Sequence, residues 1–383
     1  MRELFEATNN YWNAWIRRST YQGSWKEAVN RSALALKLLI YEPTGAVIAS
    51  PTFSLPEYIG GTRNWDYRAS WIRDSSFTLY ALIRLGFTHE ANDYMDFIFD
   101  RVKQKNDDGS LKIMIGNGAI DHVQLDIYGE LYGQFSTFSL GQANEFFSEW
   151  IVFILGRSMV DHWVAVRELE VRGKQKHFTY SKGSYRQRLL GIRLAEKRSF
   201  PCPRRNEWIT ARDTLYEQIM EKAWNKELQF FGQSYEDTDV LDSSLLIMPL
   251  VFFSTPADPR FLNTLKRILL TPERGGLTSN GLVYRYDVSK SDDGVGGEEG
   301  TFCLCTLWCI EALARAGEYD KPLLARAVAM FEDFLQYTNH VGLCTEEISP
   351  AGDGLGNAVQ GFTHVTLISA AYNLSRMQGK FKV

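Results

Sequence analysis

The chain has 383 residues, with 42 Lys+Arg against 46 Asp+Glu and a formal net charge of −4, a balance that argues against nucleic acid or an anionic membrane as the main partner. Hydrophobic residues make up 45 % and charged ones 23 %, the mix of a globular chain and not of a disordered one. The apolar run at 150–155 is far shorter than the roughly 20 residues of a membrane span.

Apolar residues recur at helical spacing along nearly the whole length. The pattern predicts helices near 4–16, 25–41, 71–85, 89–104, 120–132 and 144–163. Further helices are expected near 186–197, 207–224, 243–250, 260–270, 301–316, 321–337 and 363–377. Gly86 after Leu85 and Gly317 after Ala316 read as glycines that end helices. Polar or Gly-rich loops at 42–70, 106–119, 276–300 and 342–361 separate alternate helices, and long loops of this kind usually carry function. Strand signal is weak and confined to short pieces such as 46–50 and 282–286. With no linker and no shift in composition, residues 1–383 read as a single all-α domain with its chemistry on inter-helix loops.

The sequence opens without a basic segment followed by an apolar core, so no signal peptide is visible and a cytoplasmic location is expected. Five cysteines, an odd and sparse set, suit reduced thiols. Cys303, Cys305 and Cys309 lie in an apolar run with no second Cys/His pair at finger-like spacing, which predicts buried core thiols and no metal.

Four segments concentrate polar and aromatic groups. The first, Gly60 to Arg68 with Trp71-Ile72-Arg73-Asp74, has Arg/Asp pairs to bond hydroxyls and rings to cover a sugar face; a helix cap with buried salt bridges fits equally well. The second runs from Leu282 through Arg285 to Glu298-Glu299, where a carboxylate pair before a helix suits catalysis, a helix-dipole partner or a cation. The third holds Thr345-Glu346-Glu347 and Gly354 to Asn357; the fourth, Glu168 to Gly173, looks on its own like a charged helix end. The six histidines show no metal-ligand spacing, no Gly-x-Ser-x-Gly elbow is present, and the glycines do not match a phosphate loop, so neither metal nor cofactor is expected. Carboxylates, arginines and aromatics on helical loops are the equipment of a glycoside hydrolase, which needs two carboxylates flanking the scissile bond.

Several segments in order resemble glycoside hydrolase family 15, the family of glucoamylases, glucodextranases and bacterial-type trehalases. They include Gly61-Thr-Arg-Asn-Trp-Asp-Tyr-Arg68, Trp71-Ile-Arg-Asp74, Gln124-Leu-Asp-Ile-Tyr-Gly-Glu130 and Glu170-Val-Arg-Gly173. Leu282-Val-Tyr-Arg-Tyr286, Glu299-Gly-Thr-Phe302, Thr345-Glu-Glu-Ile348 and Leu355-Gly-Asn357 complete the set. The resemblance implies an (α/α)₆ toroid and inverting hydrolysis of an α-glucoside or oligosaccharide, with glucose released from an α-glucan, an isomaltose-type chain or trehalose. It assigns Glu170 as general acid and Glu346 as general base, with Arg73, Asp74, Trp65 and Asp66 at the innermost glucose. Arg285 would contact sugar near the cleavage point, and Glu299 would line the pocket wall. The resemblance starts almost at the first residue, so the family's N-terminal β-sandwich is expected to be absent and a loop to be missing between Met114 and Ile115; Leu169 stands where a Trp is expected, and the chain diverges after Lys182. Arg167 and Arg172 crowd Glu170, which is expected to point away from Glu346. The alternative is therefore a catalytically impaired or inactive sugar-binding relative.

Overall fold

The computed structural model describes residues 2–52, 54–102, 114–115, 176–183, 205–291 and 293–379. Its helices, among these residues, are α1 (Arg2–Ile16), α2 (Lys26–Leu38), α3 (Ile72–Arg84), α4 (Thr88–Val102) and α5 (Arg205–Lys222). They continue with α6 (Pro259–Ile268), α7 (Cys303–Ala316), α8 (Lys321–Leu335) and α9 (Gly361–Met377). The helices expected at 120–132, 144–163 and 186–197 lie outside the described residues, as does Glu170.

Two kinds of helix alternate. In α7 every residue but Arg315 is buried, and α9 is buried almost all round. A helix apolar on all sides belongs inside a larger body. By contrast α8 buries one stripe, Ala327, Met330, Phe331 and Phe334, and α6 buries Phe261, Thr264, Leu265 and Ile268. That i, i+3, i+4, i+7 spacing marks one face against the core and the other toward water. Accordingly α7 packs on α8 and α9, while α9 also packs on α2 and α3. Residues from both kinds merge into one continuous hydrophobic core. No helix among the described residues is long and apolar enough to cross a membrane.

Several expectations are corrected at helix ends. The helix expected at 25–41 stops at Leu38, because Ile40–Tyr41 pairs instead with Ala46–Val47 in a short antiparallel ladder. Residues 243–250 hold a 3₁₀ turn, Ser243–Ile247, and Trp224 leaves α5 to pair with Phe231. Gly86 does adopt the left-handed conformation, φ 91°. Gly317 does not: its φ is −66°, and glycine is needed because a Cβ there would lie 2.6 Å from that of Leu324. Cys303, Cys305, Cys309 and Cys344 are free, buried thiols, and burial pushes Cys305, Cys309 and Cys344 up to about 12.

The largest correction falls on the loop expected at 342–361. Four two-residue ladders precede it among the described residues: β1–β2 (Ile40–Tyr41, Ala46–Val47), β3–β4 (Ser70–Trp71, Met114–Ile115), β5–β6 (Trp224–Asn225, Phe230–Phe231) and β7–β8 (Thr278–Ser279, Leu282–Val283). The loop itself contains a hairpin, β10 (Thr345–Ile348) with β11 (Gly354–Ala358), and β10 also pairs with β9 (Thr301–Phe302) to make a three-stranded sheet. Strands of two to five residues are too short for a period-2 pattern to register in sequence.

Candidate active site

The hairpin is irregular where it matters. Thr345 pairs with Ala358 and Glu347 with Leu355, so Gly356 and Asn357 together oppose the single Glu346. This is a β-bulge with a glycine at φ 66°, the left-handed conformation such a bulge requires. It turns the backbone of β11 toward the Glu346 carboxylate. Oε2 of Glu346 accepts the Asn357 backbone N–H at 2.9 Å and its side-chain Nδ2 at 3.3 Å. A Cβ on Gly356 would sit 2.7 Å from the same oxygen, so only glycine permits this approach.

Asn357 ties the hairpin to the loop carrying Trp65. Its Nδ2 also donates to the Trp65 carbonyl (3.2 Å), and its Oδ1 accepts from Thr52 (2.8 Å). From that loop the Tyr67 hydroxyl donates to Glu346. Glu346 is 1 % exposed. Burial, with the Glu57 charge nearby, pushes its carboxyl up to about 7, although Asn357 and Tyr67 pull the other way. A buried carboxylate that titrates near neutrality, held by three donors, has the properties of a general base.

Glu347, its neighbour on the strand, points to the opposite face, as consecutive strand residues do. There its Oε2 accepts the Gly300 N–H at 2.7 Å. Burial pushes Glu347 well up, with Glu57 and Glu299 adding to the effect. Glu299 bonds Arg63 at 2.7 Å and Arg285 at 2.5 Å through Oε2. Arg63 is 2 % exposed; it also bonds Asp293 and donates to the Gly296 carbonyl at 2.8 Å. Glu57 accepts from Trp65 Nε1 at 2.6 Å.

Of the residues expected at the site, Glu346, Trp65, Arg285 and Glu299 are joined by this network. Arg285 lies over the rings of Tyr286 and Phe302, at 4.7 and 4.8 Å, and its side chain is 31 % exposed. Burial works against its charge, but Glu299, Tyr286, Glu57 and Glu347 together outweigh it and hold Arg285 well above its ordinary value. Arg73 and Asp74 lie in the first turn of α3, partly exposed, their charges 4.0 Å apart. Trp71, the residue before α3, meets the Tyr67 ring edge-on at 5.3 Å, so α3 starts beside the loop that carries Tyr67. Asp66 stands apart: it is exposed and bound to Arg68 through both oxygens, and those bonds hold it near about 2. Glu170 lies outside the described residues. Sequence reading missed Tyr67, Asn357, Glu57 and Glu347 as site residues; all four lay inside or beside segments it had singled out.

The profile of Glycosyl hydrolases family 15 matches residues 23–116 and 102–372. The chain is 36 % identical over 410 residues to a trehalase of Mycobacterium tuberculosis, covering 97 % of this chain and 58 % of that protein. It is 32 % identical over 397 residues to a trehalase of Thermoplasma volcanium, covering 96 % and 62 %. The chain thus spans about three fifths of the length of these relatives. Among solved structures it resembles a glucoamylase from Saccharomycopsis fibuligera with a TM-score of 0.74 at 15 % identity, over 93 % of this chain and 95 % of that one. A glycosidase in complex with glucose superposes with a TM-score of 0.70 at 17 % identity, over 93 % and 97 %. These likenesses establish the expected fold, the (α/α)₆ toroid, in which buried and one-sided helices alternate.

Proposed function

Because this chain belongs to glycosyl hydrolase family 15, we propose that it hydrolyses α-glucosidic bonds with inversion, Glu346 acting as the general base. The observation that carries the reading is the setting of Glu346: buried, gripped by Asn357 and Tyr67, and raised to about 7. Trehalose is the substrate we assign, because the two trehalases align with nearly all of this chain.

In this reading the Glu346 carboxylate, oriented by Asn357 and Tyr67, takes a proton from water. The water oxygen bonds the anomeric carbon as the bond from that carbon to the glycosidic oxygen breaks. The leaving oxygen takes a proton from the general acid, the role the family pattern gives to Glu170. An inverting pair stands about 6.5–9.5 Å apart to leave room for the water. Arg73, Asp74 and Arg285 bind sugar hydroxyls, and Trp65 offers a ring beside them. Glu299, with both oxygens on arginines, serves by holding Arg285 in place.

The test is glucose release from trehalose, maltose and dextran fragments by wild type and by Glu346→Gln. Inversion of trehalose yields one β- and one α-glucose, which early NMR spectra resolve. Glu346→Gln should lower kcat by about 10²–10⁴-fold, the contribution of a positioned general base, with substrate binding retained. Unchanged turnover in that variant would remove Glu346 from the role.

A further inference from the structure

We propose that the buried carboxylates of Glu57, Glu299 and Glu347 form a binding site for a hard divalent cation of the size of Ca²⁺. The site is independent of the hydrolytic reading, since the cation would bind whether or not a glucoside is turned over.

Three separate segments bring these groups together: the loop holding Trp65, the residues just before β9, and β10. One oxygen from each lies within 4.8 Å of the others. The three residues are 2 %, 6 % and 0 % exposed. Each carboxylate has one oxygen held by a short hydrogen bond and one held by a long one or by none. Glu57 Oε1 takes Trp65 Nε1 at 2.6 Å, while Oε2 has only a 3.5 Å contact with Arg63. Glu299 Oε2 takes both arginines, while Oε1 has a 3.4 Å contact with Arg285. Glu347 Oε2 takes the Gly300 N–H, and its Oε1 is buried with no hydrogen-bond partner among the described residues. A buried carboxylate oxygen left unpaired is costly and calls for a partner.

Charge points the same way. Asp293 shares Arg63 with Glu299, so among the described residues Glu57, Asp293, Glu299 and Glu347 face two guanidiniums, Arg63 and Arg285. Two carboxylates are left over in a buried place, where they call for a proton or a cation. The donors are all carboxylate oxygens, the ligands of Ca²⁺ and Mg²⁺ and not of softer metals. A buried site whose donors are all protein oxygens suits Ca²⁺, because Mg²⁺ dehydrates reluctantly and keeps several of its waters. A cation here would fix Glu299, and through it Arg285, while bracing three loops.

The experiment uses the whole chain stripped with a chelator. Tb³⁺ is titrated in as a Ca²⁺ probe, with luminescence excited through Trp65, whose indole bonds Glu57. In parallel, Tm is followed as Ca²⁺ or Mg²⁺ is added. Saturable luminescence, displaced by Ca²⁺, and a Tm rise of a few degrees under excess Ca²⁺ are expected. Glu347→Gln and Glu57→Gln, each checked for folding by circular dichroism, should weaken Tb³⁺ binding about tenfold or more. No saturable luminescence and no metal-dependent Tm shift in wild type at millimolar concentrations would overturn the proposal and leave protons to neutralise the cluster. Undiminished binding in both folded variants would overturn it too, by placing the ion elsewhere. The wild-type titration decides even if a variant fails to fold.

Discussion

His364 should make this protein sensitive to acid. The ring is fully buried in the first turn of α9. Its Nε2 accepts the Cys344 backbone N–H at 3.1 Å, and Nδ1 lies 3.0 Å from the Ser32 hydroxyl on α2. An Nε2 that accepts is unprotonated, so the proton belongs on Nδ1, donating to Ser32. A second proton would set an N–H against the N–H of Cys344 in a fully buried place. Burial accordingly pushes His364 down from 6.5 to about 4. Between those values the unfolded chain binds a proton that the folded chain refuses, so stability falls as pH falls through this window. At about 1.4 kcal/mol per unit of pKa, the loss approaches about 3 kcal/mol at pH 4 and is absent above about pH 7. The assay is urea unfolding of wild type and His364→Gln between pH 7.5 and 4.5. Gln can still accept from Cys344 but does not titrate. Its baseline stability will differ, yet the difference between the two proteins should shrink or reverse in acid by about 2–3 kcal/mol, because every other group cancels. Parallel pH profiles would refute the reasoning. The consequence reaches the site, since the Cys344 N–H anchors the start of the strand that carries Glu346.

Gly356→Ala forces a side chain into the left-handed conformation, at a cost of about 1–2 kcal/mol, and pushes a methyl against Glu346 Oε2; kcat should fall while far-UV circular dichroism is unchanged, and a fully active variant would show that the bulge does not position Glu346. In chelator-treated protein the acidic limb of kcat/KM for trehalose should lie near pH 7, where Glu346 gains its charge; activity rises as pH rises through that value, and a limb near 4.5 would contradict the buried setting.

The sequence by itself determined what is local and periodic. Apolar spacing predicts the helices at 301–316 and 321–337, and the structure places the first inside the core and the second at its edge. The ordered motifs around Arg73-Asp74, Arg285, Glu299 and Glu346 identified the family and hence the toroid. What sequence could not decide depends on which distant segments meet. Arg63 binds Asp293 and Glu299 across separations of 230 and 236 residues, and no spacing rule links them. In the Thr345-Glu346-Glu347 segment the two glutamates look interchangeable. Pairing with β11 on one side and β9 on the other turns Glu346 toward Asn357 and Tyr67 and sends Glu347 toward Gly300 and Glu57. Asp66, grouped with the sugar-binding residues by its motif, is drawn outward by Arg68, two residues on. Even the charge of Glu346 is tertiary: a carboxyl that would titrate at 4.5 in water is moved to about 7 only by the groups folded around it. Helical periodicity is written into neighbouring residues, whereas strand pairing, burial and charge belong to contacts that exist only once the toroid closes.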